Sequence, residues 1–156
     1  MAAISQRARI LDGYKDRIQA LFGPGTAANY FRSVTRRPWM PNAAVRDCAT
    51  VVDNGQRRSE SGSNDETGRF WILSWSIVID LAANWEREKT AADWSDKVQA
   101  IALAVQNWLP TKGCMNSEYV SDEPIQVNLT SGEAINVWVI EFETEYLADV
   151  GALVNA

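Results

Sequence analysis

The stretch NGQRRSESGSNDETGRFWILSWSIVID (54–80) joins the most polar run of the chain to its most apolar one with nothing between them. Its second half decides the fold. Trp71, Leu73, Trp75, Ile77, Ile79 and Leu81 fill the odd positions, while the even ones mix Phe70, Ile72 and Val78 with Ser74, Ser76 and Asp80. Successive side chains of a strand point to opposite faces, so this is a long strand with one fully buried face and one mixed face. The first half holds Ser, Gly, Asn and Asp and has almost nothing to bury. Such a tract gains too little from burial to offset the entropy of ordering it. Loops of that length inside a compact domain are uncommon and are usually functional or disordered. The region from about 53 to 68 is therefore expected to be a long, mobile hairpin loop.

The segments on either side extend this plan. Upstream, Val51 and Val52 close an apolar run that reads as a strand over about 45–52, and the loop makes it the hairpin partner of the strand after it. At the N-terminus Ile4, Ala8, Leu11, Tyr14, Ile18 and Leu21 recur at spacings of three and four, which is one stripe of a helix, stopped by Gly23-Pro24-Gly25. The proline-broken segment 26–42 between them reads as an irregular connection. Downstream, Thr90 to Asp93 resembles a capping box with Asp in place of Glu. Trp94, Val98, Ile101, Val105 and Trp108 then repeat at helical spacing until Pro110. Burying those side chains contributes about 1.5–3 kcal/mol each before ordering entropy is subtracted. Two alternating runs, EPIQVNLT and EAINVWVIEFETEY, flank Ser131-Gly132 and predict a second hairpin. The fold class is α/β (α+β): a mixed or antiparallel sheet of about four strands packed against two main helices. The order is helix-strand-strand-helix-strand-strand, in a single domain over 1–156.

A chain of 156 residues with 46% apolar residues and seven tryptophans can bury roughly 68–70% of its unfolded surface and needs no staples. Cys48 and Cys114 have neither the number nor the spacing of a disulfide framework or a zinc site, and both read as reduced core thiols. No apolar stretch of signal-peptide or membrane-spanning length is present, so a protein made and kept in the cytosol, with no membrane partner, is expected.

The net charge of −5 conceals a split. Residues 1–58 hold ten Lys and Arg against four Asp and Glu, a balance of +6, whereas 59–156 hold five against sixteen, a balance of −11. A surface that mixes both halves gives this split no meaning. A basic face on one copy meeting an acidic face on the next gives a heterologous contact that closes into a ring.

Chemistry is hard to build from these residues. With no histidine, Ser-His-Asp and Cys-His sites are excluded, and no phosphate-cradling glycine loop, metal motif or nucleophile elbow occurs. Asp80 and the file Glu141, Glu143 and Glu145 supply carboxylates, but acids alternating along a half-buried strand read as its solvated side. No catalytic residues, metal or cofactor are expected. Tyr30, Phe31, Arg32, Arg36, Arg37 and Trp39 are the residue types of a nucleic-acid surface, against which the overall acidity argues. Asn128-Leu129-Thr130 is a chance glycosylation sequon.

The N-terminal amphipathic helix, the strand FWILSWSIVIDL after a long loop, the helix ADWSDKVQAIALAVQNWL and the closing strand INVWVIEFETEY together resemble the tail terminator (tail completion, minor tail) proteins of long-tailed bacteriophages. The resemblance covers most of the chain and rests on pattern and order. It implies a non-catalytic virion protein, assembled in the host cytoplasm, that forms a hexameric ring on the head-proximal end of the tail tube. The ring stops tube polymerisation and provides the surface for head joining. The implied partners are further copies of the chain, the tube protein and a head-side connector. DNA passes through the lumen without specific binding. Under this reading Arg57 and Arg58 in the polar loop dock a partner, and Glu141, Glu143 and Glu145 face the lumen and repel phosphates. A head-closure or neck protein, and a non-viral cytosolic protein-interaction domain, are the alternatives.

Overall fold

A computed structural model of the chain describes residues 5–42, 46–59, 70–81, 87–132 and 134–147. It is a mixed α+β fold: two helices on one face of an open five-stranded sheet. The elements are α1 (Gln6–Phe22), β1 (Ser33–Arg36), β2 (Cys48–Arg58), β3 (Phe70–Asp80), α2 (Arg87–Val105), β4 (Cys114–Asn128) and β5 (Ala134–Leu147). The strand order is β1-β2-β3-β5-β4, with β1 parallel to β2 and every other pair antiparallel.

The alternation along β3 sets the layers. Leu73, Trp75, Ile77 and Ile79 face the helices and are fully buried. Their partners on β5 are Thr144, Phe142, Ile140 and Trp138, and Val51 and Ala49 of β2 lie opposite Ile77 and Ile79. α1 adds Ile10, Leu11, Tyr14, Ile18 and Phe22, and α2 adds Trp94, Val98, Ile101 and Val105, to the same cluster. The buried stripe of α1 is thus rotated from the expected one: Ile10 and Phe22 are inside and Leu21 is outside, because the helix rolls to stack Tyr14 on Trp75 at a centroid distance of 4.1 Å. Gly13 lets α1 pass close against Pro110, since a Cβ there would meet Pro110 Cβ at 2.5 Å.

A chain of hydrogen bonds ties five elements together inside this core. Trp75 Nε1 donates to Thr144 Oγ1 (3.0 Å), Tyr14 Oη to Ser117 Oγ (2.9 Å), and Ser117 Oγ to the Val105 carbonyl (3.1 Å). Tyr14 and Thr144 are 2.6 Å apart, and because the tyrosine proton is given to Ser117, Thr144 is the donor of that contact. Each buried hydroxyl is therefore satisfied as donor and acceptor, the condition under which a polar core network is not a liability.

Several boundaries differ from the sequence reading. α1 starts at Gln6, two residues after Ile4, with Ser5 Oγ accepting from Ala8 N (3.1 Å) as its cap. α2 begins at Arg87, so Thr90–Asp93 lies inside the helix and does not start it. α2 ends at Val105, before Pro110, because Asn107 takes a left-handed conformation (φ 63°) and its N–H bonds Ser117 O, not the helix. Segment 26–42 is not wholly irregular. Phe31 is buried, stacked on Trp94, and β1 supplies a fifth strand. β4 starts at Cys114, well before the expected hairpin arm, with register shifts near Met115 and Val120. The turn at Ser131-Gly132 is as expected, with Gly132 at φ 87°. Cys114 is a buried thiol, and Cys48 is only half-buried at the start of β2.

β2 brings the largest change. It continues to Arg58, so residues 53–58 are strand and not loop. Residues 60–68 of the expected loop lie outside the described residues. The extension passes through a bulge between Asp53 and Gln56, where Gly55 takes φ 107° and its N–H bonds Asp53 Oδ1 (2.8 Å).

Candidate assembly surface

No described helix lies on the second face of the sheet, and the candidate residues meet there. On β5 the odd-numbered side chains point to this face, so Glu141, Glu143 and Glu145 form one file along it. The flanking strands register Ser76, Ser74 and Ile72 on one side and Ser121, Glu118 and Asn116 on the other. The three acids are not bare charges. Ser121 Oγ donates to Glu141 (3.1 Å), Arg57 Nη2 to Glu143 (3.0 Å) and Ser59 Oγ to Glu145 (2.9 Å).

Arg57 and Arg58 were expected together in a loop, and the structure places them on a strand and on opposite faces. Arg57 is opposite Ile72 and bridges Glu143 across β3, with a longer contact to Ser74 Oγ (3.5 Å). Arg58 is opposite Trp71, on the helix side, and exposed. The docking pair and the acidic file, read as separate features, are therefore joined through Arg57. The charge of Glu143 is locally compensated, while Glu141 accepts from a hydroxyl and has no cationic partner among the described residues.

The other half of this face is apolar. Val78, Ile135 and Val137 are buried there, with Val52, Ile125, Val127, Leu129, Val139 and Trp39 packed around them. Trp39 comes from the segment after β1. That segment turns off the sheet edge at Arg37, whose N–H bonds Val51 O (3.3 Å), and crosses the face as a strap. The indole Nε1 donates to Asp80 Oδ1 (3.1 Å). Asp80 was expected on a solvated side but is 4% exposed. Burial pushes its carboxyl above the usual range, opposed by the Trp39 hydrogen bond and the nearby Arg37. Between strap and sheet lies a cleft of about 560 Å³, lined by Arg36, Arg37, Trp39, Val52, Asn54 and Ser76 among others.

The aromatic and basic residues of 30–39 do not form a stacking surface. Tyr30 stacks on Phe22 at 5.1 Å and Phe31 is in the core, while Arg36 pairs with Asp12 of α1.

The two edges of the sheet differ in charge, which the sequence showed only as a split between halves. At the β1 edge Arg32, Arg36 and Arg37 are all exposed. At the β4 edge Glu118 and Glu123 are exposed and Asp122 is half-buried, with no Lys or Arg from Cys114 to Asn128. Asp122 is committed to the fold, accepting from Trp138 Nε1 (2.8 Å) and from the Tyr119 hydroxyl, whose pKa that carboxylate and burial push up to about 12. Glu118 and Glu123 were missed as candidates, because the bulged half of β4 has no clean alternation to mark it as a strand. No protein-family model matches this chain, and no curated protein matches its sequence.

Proposed function

We propose that this chain is a structural virion subunit that caps a phage tail tube, stops its polymerisation and forms the head-joining surface as a ring. The observation that carries the reading is a sheet whose described helices lie on one face and whose exposed edges have opposite charge. A subunit built to repeat around an axis needs two different, complementary lateral surfaces, and it needs a face suited to the hole. The second face offers carboxylates and hydroxyls, which repel phosphates or bind them weakly, as a lumen for moving DNA requires. In this arrangement Glu141 and Glu145 face the lumen, and Arg57 holds Glu143 in place. The end of the sheet where β2 and β3 meet, with Arg57 and Arg58, forms one rim of the ring and docks a neighbouring ring. The tube protein and the head-side connector are the partners at the two rims.

The test is deletion of the coding sequence from the genome that carries it, followed by electron microscopy of the lysate. Tubes of uncontrolled length without heads are expected. Tails of normal length joined to heads would overturn the reading.

A further inference from the structure

We infer that the β1 edge of one copy docks on the β4 edge of the next, head to tail, through the exposed Arg32 and Arg37 of one edge and the exposed Glu118 and Glu123 of the other. Both strands are paired on one side only among the described residues. Short strands, charges, proline and bulges are also how monomeric proteins blunt their edges, and β4 has Pro124 and two register shifts. The sign of the charges separates the two cases. Edges of one sign would repel every neighbour. Here a β1–β1 or β4–β4 approach is repulsive and only the β1–β4 approach is attractive, so the pattern selects one contact as well as blocking others.

The geometry fits. β1 runs with β2 and β5, and β4 runs against them. A neighbour in the same orientation therefore presents β4 antiparallel to β1. Val120, bulged out between the two acids, and Met115 are 47% and 57% exposed and add apolar area to the contact. Sheets joined in this way turn one face to the axis, and the face without described helices is the one that carries Glu141.

The inference rests on the reading of the chain as a self-assembling subunit, and its test is independent of tail completion. Arg32→Glu/Arg37→Glu reverses one edge while leaving Arg36 on Asp12. Glu118→Lys/Glu123→Lys reverses the other. Sedimentation velocity at about 30 mM salt, where screening is weak, reads association, and thermal melts check folding. Wild type is expected to associate, and each variant alone at least ten-fold more weakly. A mixture of the two variants, or both reversals in one chain, is expected to recover association, since every β1–β4 contact is again between opposite charges. A monomeric wild type, association unaffected by either reversal, or folded variants that do not recover on mixing would each overturn the edge assignment. Those results leave the deletion phenotype, and hence the tail-completion reading, to stand or fall separately.

Discussion

Tyr14→Phe removes one oxygen from the centre of the core and leaves its packing in place. The ring still stacks on Trp75 at 4.1 Å, and the hydroxyl chain from Trp75 through Thr144, Tyr14 and Ser117 to Val105 is cut in the middle. Thr144 loses its acceptor and Ser117 its donor, both in fully buried positions. A buried group left unpaired costs about 1–3 kcal/mol, so a loss of about 2 kcal/mol is expected at pH 7. For a chain of this size that lowers the melting temperature by roughly 4–8 °C. Urea unfolding followed by tryptophan fluorescence should show a lower midpoint with an unchanged slope. Alkaline pH supplies a second readout. Burial pushes the Tyr14 hydroxyl up to about 12, against the opposing hydrogen bonds to Ser117 and Thr144. A folded pKa above the unfolded value of about 10 means that the stabilisation is complete below pH 10 and is lost as pH rises towards 12. The loss from this one group is of the order of 2–3 kcal/mol, so the gap between wild type and Tyr14→Phe should close over that interval. A gap below about 0.5 kcal/mol at pH 7, or one that stays constant to pH 12, would refute the hydroxyl chain.

Three further outcomes follow from the second face. Trp39→Phe keeps an aromatic on Val78 but strips Asp80 of its indole donor, and should lower stability by about 1–3 kcal/mol in urea titration. Asp80→Asn removes a carboxylate whose charge burial disfavours. Its folded pKa is raised, so the cost of the charge is present at neutral pH and fades as pH falls through that pKa. The variant should be at least as stable as wild type at pH 7, with the difference narrowing in acid. Arg57→Ala breaks an exposed pair with Glu143 and should change unfolding by no more than about 1 kcal/mol, less in high salt, while weakening head joining in a complementation assay.

The long strand β3 was legible because its two faces differ so sharply: Leu73, Trp75, Ile77 and Ile79 leave no doubt which side is buried. α2 was legible for the matching reason at a period of 3.6. β1 was not, because four residues ending in Arg36-Arg37-Pro38 carry no alternation, and the strand is held by parallel pairing to β2 and by Val34 on α1. The first half of β4 was hidden by its bulges at Met115 and Val120, which break the period of two. Arg57 and Arg58 read as loop because their side chains are polar, whereas their strand is made by backbone pairing to Ile72 and Trp71. The contact of Trp39 with Asp80 spans 41 residues and leaves no local trace. Of the candidate residues, the file Glu141, Glu143 and Glu145 was visible as a shared face. Its partners Ser121, Arg57 and Ser59 come from other strands and became visible only with the register.

Self-assembly is the central claim, and light scattering after size exclusion, combined with negative-stain microscopy of the purified protein at low salt, tests it most directly. The account predicts six-fold rings with a central hole, dissociating as salt is raised. A monomer at every concentration and salt would contradict it.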